Sequence, residues 1–292
     1  MTGASGFIGQ ALARMTPGAT PLALGGDDWR ERIAAMSWRG ATVYHLAARA
    51  HRSGDSDEAC ERDNVDKTAA LAEAAARGGA RRLVFLSTIK VNGDETPERA
   101  FRPEDPPAPR DAYARSKAKA EQRLSEIANR AGLATTVVRS PLVIGAGAKG
   151  NLKALMRLAD GPWPLPFAAL DNRRTLICVE DLVALLVACA SAPQAVGRLY
   201  LAGDPQPVST TGLVAAIRRA LGRPSRLFRI DGVVLEHAAA LVGQRRNVRR
   251  LTRSLEADVS QTLRELPWRP FVSMDEGIAR MARAYRGAEA IR

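Results

Sequence analysis

The chain is sparing with cysteine and histidine and has no apolar run long enough to cross a bilayer. Cys60, Cys178 and Cys189 are odd in number and show neither disulfide nor metal spacing. That excludes a disulfide scaffold and fits a reducing, cytoplasmic compartment. No histidine has a partner at metal-ligand spacing, so no metal is expected. The longest apolar stretch, LVALLVACASA from Leu182 to Ala192, follows the acidic pair Glu180 and Asp181 and reads as a buried helix. No basic-then-apolar leader opens the chain, so secretion is not expected. Internal repeats and low-complexity segments are absent as well. What remains is an ordinary globular composition, 46% hydrophobic and 25% charged over 292 residues, with room for a large α/β unit and a smaller lobe.

The formal charge of +12 comes far more from arginine than from lysine. Such a balance suits an acidic partner, whether nucleic acid, membrane or an anionic small substrate. The densest cluster, RRNVRRLTR from Arg245 to Arg253, lacks the interleaved aromatics that stack bases, and nucleic acid is not expected as a partner. A solvated face and a phosphate-binding role are equal readings of it.

Along the first half, helical and β-rich segments alternate. A helix from the glycine turn to Met15 precedes a short strand at TPLAL, a helix around DWRERIAAM and a strand at ATVYHLAA. NVDKTAALAEAAARGG then reads as a helix closed by Gly78 and Gly79, RRLVFLST as a strand, DAYARSKAKAEQRLSEIANRAG as a long amphipathic helix ended by Gly132, and ATTVVRSPLVIG as one further strand. This alternation predicts a doubly wound parallel sheet. After Gly145 the pattern breaks at GAGAKGN and at the proline-rich GPWPLPF, then resumes with RTLICVEDLVALLVACA and the strand RLYLAG. We expect a dinucleotide-binding domain over residues 1–147 and 176–203, and a smaller substrate lobe over 148–175 and 204–292.

Two motifs carry chemistry. In MTGASGFIG, Gly3 allows a tight turn, Gly6 a close backbone approach to a pyrophosphate, and Gly9 close packing of a helix whose N-terminus favours the anion. In YARSK, Tyr113 and Lys117 stand four residues apart on one helix face, so the ammonium is expected to lower the phenol towards a usable acid/base. Ser87 and Thr88 end a strand at the sheet's carboxyl edge, where such folds bind ligands.

These residues resemble the extended short-chain dehydrogenases/reductases, the NAD-dependent epimerases/dehydratases. The likeness runs through TGASGFIG, HLAA (His45 to Ala48), Asn64-Val65, YARSK, RSPLVIG and RTLICVED. Within that family it is most similar to bacterial UDP-hexose 4-epimerases and 4-keto-sugar reductases. The resemblance implies Tyr113 as acid/base at the sugar hydroxyl, Lys117 on the nicotinamide ribose, and Thr88, with Ser87 beside it, on the same sugar oxygen. It places Gly3, Gly6, Phe7, Ile8, Gly9, Leu46, Ala47, Ala48 and Pro141 around the cofactor. Asn151, Arg174 and Arg253 fall to the nucleotide diphosphate. It further implies a UDP-sugar substrate, surface polysaccharide synthesis, and a homodimer through the long helices.

Some positions depart from the family's pattern. Ile89 and Lys90 stand where the dehydratases carry an Asp-Glu pair, which argues against dehydration. Asn92 replaces a frequent tyrosine and Lys67 a glycine. Asp27 lies near the spacing of a ribose-binding acid and points to NAD, with NADP left open; Asp28 could instead cap the next helix. No strand precedes the glycine turn, so a central first strand is expected to be missing and the natural chain to begin about five residues earlier. The resulting expectation is a sugar-nucleotide 4-epimerase. A 4-keto-sugar reductase is the alternative, and a non-catalytic dinucleotide sensor is the rival of another class.

Overall fold

A computed structural model describes residues 1–49 and 56–290. Among these residues six strands occur in chain order: β1 (Thr42–His45), β2 (Arg82–Thr88), β3 (Thr135–Ser140), β4 (Leu142–Ile144), β5 (Leu176–Cys178) and β6 (Arg198–Leu201). The helices are α1 (Phe7–Met15), α2 (Trp29–Ala34), α3 (Asp57–Glu61), α4 (Lys67–Arg77), α5 (Ala112–Ala131), α6 (Asn151–Asp160), α7 (Val179–Ser191), α8 (Thr210–Ala220), α9 (Gly232–Leu241), α10 (Arg245–Thr252), α11 (Ser260–Glu265) and α12 (Met274–Ala290). The main sheet is parallel throughout, in the order β1-β2-β3-β6, and a two-stranded parallel sheet joins β4 to β5. This is the expected α/β, Rossmann-type architecture.

Period-2 alternation decides what each sheet face buries. Leu83 and Phe85 of β2 pack with Leu71 of α4 and Leu124 and Ile127 of α5. Val84 and Val138 turn the other way, onto Leu12 of α1 and onto α7, whose Leu182, Leu185 and Leu186 are fully buried. A separate core of Leu152, Leu155, Leu213, Ile217, Ile278 and Met281 holds α6, α8 and α12 together with Ile144 and Leu176. The long helix α5 begins with Asp111 accepting from Ala114 N at 2.8 Å and ends at left-handed Gly132 (φ 67°), both of which the sequence signals.

Two expectations need correction. TPLAL forms no strand: only Leu22 bridges, to Thr2. ATTVVRSPLVIG is two strands rather than one, because Pro141 between them has no N–H for a ladder bond, and the chain passes there from the main sheet to the small one. The sheet position beside β1 is held by Met1 and Thr2. Thr2 N donates to Tyr44 O at 2.9 Å, and Leu22 N donates to Met1 O at 2.7 Å. Among the described residues no helix is long and apolar enough to cross a membrane.

Candidate active site

The turn before α1 is built as the glycine spacing predicts. Gly3 takes φ 72°, and a Cβ on it would lie 2.8 Å from Ala47 N. Gly6 N donates to Gly3 O at 3.0 Å, and Gly6 forms the N-cap of α1 with no side-chain cap, so the first N–H groups of the helix are left for a ligand. A Cβ at Gly9 would stand 2.0 Å from Gly3 O, far inside van der Waals contact with backbone that cannot yield. These three residues therefore fit a dinucleotide pyrophosphate by backbone geometry. Gly9→Ala should overpack the turn at about 1–3 kcal/mol. The cost should appear as a lowered denaturant midpoint, and displacement of the turn should weaken NAD binding in calorimetric titration of the variant.

Around the turn, Phe7 and Ile8 are half-buried against the core cluster of Leu12 and α7. Leu46, Ala47 and Ala48 follow β1 directly and line the approach to Gly3. Pro141 is buried at the end of β3, its carbonyl accepting from Ser140 Oγ at 3.1 Å.

Thr88, Tyr113 and Lys117 meet where β2 ends against the start of α5. The Thr88 side chain lies beside the Tyr113 phenol and acts to lower it. Lys117 is 1% exposed, donates to Leu86 O at 2.8 Å, and lies 3.7 Å from the centroid of the Phe85 ring. The electrostatics run opposite to the expected lowering of the tyrosine. Burial, reinforced by Asp111, pushes the Tyr113 phenol up to about 12, and Thr88 offsets only part of this. Desolvation lowers Lys117 to about 7, with Glu121 opposing it. The reason is placement: the ammonium is turned to the Leu86 carbonyl and the Phe85 face rather than towards the phenol.

Ser87 does not join this group. Its neighbour Thr88 points to the phenol, and strand alternation turns Ser87 inward, where its hydroxyl donates to Glu121. Glu121 also receives Arg139, through Nε at 3.1 Å and Nη2 at 2.6 Å, and Arg139 Nη1 donates to Asn92 Oδ1 at 2.9 Å. Arg139 and Glu121 are both buried. The structure thus brings Ser87 to Glu121 and not to the Tyr113 phenol. Glu121, which the sequence reading passed over, lies one turn beyond Lys117 on the same face of α5.

A second buried chain orders the other flank. Ala47 N donates to Thr2 Oγ1 (3.1 Å), which meets His45 Nδ1 (2.7 Å); His45 Nε2 meets Thr68 Oγ1 (2.8 Å), which donates to Asn64 O (2.7 Å). Only one proton arrangement satisfies every partner: Thr2 donates to Nδ1, and Nε2–H donates to Thr68. Asn64 sits in a π-turn over Arg62–Asp66 and donates to Ser116 Oγ at 2.9 Å, which in turn donates to Tyr113 O at 2.8 Å. Burial, and then the charge of Lys117, lowers His45 to about 3, so it is neutral in the fold. A folded value below the ordinary one contributes stability that is present above about pH 6.5 and lost as pH falls towards 3, at about 1.4 kcal/mol per pH unit. Denaturant midpoints across that window should show this slope, and His45→Asn should flatten it.

Lys90 pairs with Asp111, the cap of α5, and with Asp94 at 3.6 Å. The lysine that replaces a dehydratase acid therefore anchors the helix carrying Tyr113. Asp27 is exposed and outside helix and strand. Asp28 occupies the N-cap of α2 but makes no cap bond; it pairs with Arg32, whose guanidinium also donates to Ala23 O at 2.9 Å and to Gly25 O.

The remaining predicted residues fall on the C-terminal side. Asn151 is exposed as the first residue of α6, after Gly150 at φ 61°. Arg174 donates to Arg250 O at 2.6 Å and Arg253 O at 3.0 Å, and burial beside Arg250 lowers it to about 10. Arg253 makes a bidentate pair with buried Glu236, at 2.7 and 3.0 Å. Arg253, but not Arg174, borders a cleft of about 690 Å³ between α10 and the segment after Thr88, lined by Arg110, Arg245, Arg246, Arg249 and Arg253 opposite Asn92, Asp94 and Glu95. The arginine cluster is thus a cleft wall, and Asn151 is not among its lining. Among the described residues no cluster of side chains could hold a metal. A larger groove of about 970 Å³ runs along the outer side of α5, away from Tyr113 and Thr88.

Comparison with known proteins agrees with this geometry. The model of the NAD dependent epimerase/dehydratase family matches residues 1–203. A UDP-glucose 4-epimerase from Vibrio cholerae is 34% identical over 249 residues, covering 83% of this chain and 76% of the relative. A dTDP-4-dehydrorhamnose reductase from Mycobacterium tuberculosis is 32% identical over 234 residues, covering 76% and 75%. The crystal structure of UDP-glucuronic acid 4-epimerase from Bacillus cereus in complex with NAD superposes with a TM-score of 0.77 at 17% identity, over 98% of each chain, and shares the fold.

Proposed function

Since the chain belongs to the NAD-dependent epimerase/dehydratase family, we propose that it is a sugar-nucleotide 4-epimerase acting at C4 of a hexose, UDP-linked. The observation that carries the reading is the grouping of Thr88, the Tyr113 phenol and buried Lys117 where β2 ends against α5, at the same end of the sheet as the glycine turn. Bound nicotinamide supplies hydride acceptance and return at the sugar carbon. The residues of this chain handle the proton and the positioning. Tyr113 exchanges a proton with the C4 oxygen, Thr88 donates a hydrogen bond at the same oxygen, and Lys117 lends positive charge beneath the site. Arg253 and the cleft wall of α10 are assigned to the diphosphate, with Arg174 holding the last carbonyls of α10 behind them. The division into residues 1–147 with 176–203, and 148–175 with 204–292, gives the cofactor and the sugar nucleotide one unit each. A homodimer through α5 belongs to the same proposal.

A 4-keto-sugar reductase is favoured by one specific feature. The phenol held at about 12 keeps its proton at neutral pH and so suits donation to a keto oxygen. The two readings separate in proton NMR of UDP-N-acetylglucosamine incubated with the protein as purified. Appearance of the galacto epimer without added cofactor supports the epimerase. An unchanged sugar, together with reduction of a 4-keto-6-deoxy sugar nucleotide by added NADH, supports the reductase.

A further inference from the structure

Helix α9 is apolar on its outer face. Its one acid, Glu236, is buried and engaged by Arg253 and by Thr252 Oγ1 at 2.5 Å, while Val233, Val234 and Leu241 are 52%, 58% and 89% exposed, and Val242 just beyond is 71% exposed. His237, Ala238 and Ala240 complete the outer face, so it carries no acidic, lysine or arginine side chain. An amphipathic helix normally buries its apolar stripe and solvates its charge. Here the outer face is apolar as well, while Leu235 and Ala239 turn inward beside Glu236. The neighbouring segment continues the patch: Leu165 N donates to Arg226 O and Phe228 N to Leu165 O, a pairing flanked by Trp163 and Phe228, themselves 76% and 44% exposed.

The rim of this apolar face is basic. From Arg226 to Arg253 there are seven arginines and two acids, and both acids are occupied, Asp231 as the cap of α9 and Glu236 on Arg253. Arg229, Arg245 and Arg246 are exposed and enter no ion pair among the described residues. A second copy docking face to face would set these arginines against themselves, since a two-fold contact repeats the same patch on both sides. A protein interface typically centres on aromatic and hydrogen-bonding anchors. The centre here is aliphatic, with tryptophan and phenylalanine at its edge and arginine around it, which is the pattern of a helix lying in a lipid headgroup boundary.

We propose that α9, its following turn and the Trp163 and Phe228 segment seat this protein on the surface of an anionic phospholipid bilayer. Val233, Val234, Leu241 and Val242 enter the headgroup–acyl boundary, and the exposed Arg226 and Arg229 meet lipid phosphates, while Arg245 and Arg246 stay with the cleft. The protein then lies on the bilayer without crossing it, in keeping with the absence of a spanning helix among the described residues. The cleft wall of α10 follows α9 directly, so docking holds that wall near the surface. None of this depends on the reading of the C4 chemistry.

The test is co-sedimentation of the full chain with vesicles of two-thirds phosphatidylcholine and one-third phosphatidylglycerol, beside vesicles of phosphatidylcholine alone. The expected result is pelleting with the anionic vesicles only, reversed by raised salt. Val234→Glu with Leu241→Glu should cut the bound fraction about tenfold or more, because each leucine or valine kept out of the lipid forfeits about one decade of affinity. The same double variant should keep its thermal midpoint. If it does not, Leu241→Ser alone, at the most exposed position, carries the test. Wild-type protein that stays in the supernatant with anionic vesicles overturns the proposal, whether or not it captures another protein. So does a folded variant that pellets like the wild type.

Discussion

Tyr113→Phe should lower turnover by about 10²- to 10⁴-fold, the usual contribution of a positioned proton donor, and leave NAD affinity unchanged. The asymmetry follows from what the hydroxyl touches. Its neighbour is Thr88, at the carboxyl end of β2, whereas the glycine turn and α1 that fit the pyrophosphate make no use of it. The ring itself stays, so the packing of α5 against β2 is retained. Steady-state kinetics paired with calorimetric titration of NAD read both quantities. A variant with full turnover would remove Tyr113 from the chemistry. An activity of the protein indifferent to the substitution would favour the rival, a dinucleotide sensor built on the same scaffold.

The second large effect is on stability. Glu121→Ala should cost about 3–5 kcal/mol, because it leaves Arg139 buried without its carboxylate, and Ser87 loses its acceptor as well. The thermal midpoint should fall by about 10 °C. Replacing both partners with apolar residues, as in Glu121→Leu with Arg139→Met, should recover most of the loss, because no uncompensated charge then remains in the core. Glu121→Gln offers a readout beyond stability. Glu121 holds Lys117 up against desolvation, so removing its charge lowers Lys117 further below 7 and moves the alkaline limb of the pH–rate profile to lower pH. If the thermal midpoint falls while that limb stays put, Glu121 is purely structural.

Most of the scaffold is legible in the sequence because the signals there are local. Helical spacing, the Gly132 stop and the apolar β-run fix α5 and β2 within a residue or two, whereas the run at β3 reads on through Pro141 into β4. The Tyr113 and Lys117 spacing likewise puts both on one helix face. The sign of their electrostatics is not local. It depends on the Phe85 ring and the Leu86 carbonyl, which arrive from β2 through tertiary packing. Ser87 was within reach, since alternation along β2 sets it on the face opposite to Thr88. Glu121 was too, as a charged residue on the buried stripe that continues from Tyr113 and Lys117. Arg174 was matched by motif, and only the fold reveals that its guanidinium caps the carbonyl end of α10. The apolar outer face of α9 shows in the sequence as GVVLEHAAALVG, but no periodicity argument tells which side of such a helix meets solvent.

The central claim is hydride chemistry at C4 of a nucleotide-linked hexose, and deuterium at that carbon tests it most directly. UDP-glucose and UDP-N-acetylglucosamine carrying deuterium at C4 are incubated with the protein and NAD, and the product is read by NMR. The account predicts inversion at C4 with the deuterium retained on that carbon and a slowed rate relative to the protiated sugar. Product bearing solvent hydrogen at C4, or a change confined to another carbon, would contradict it.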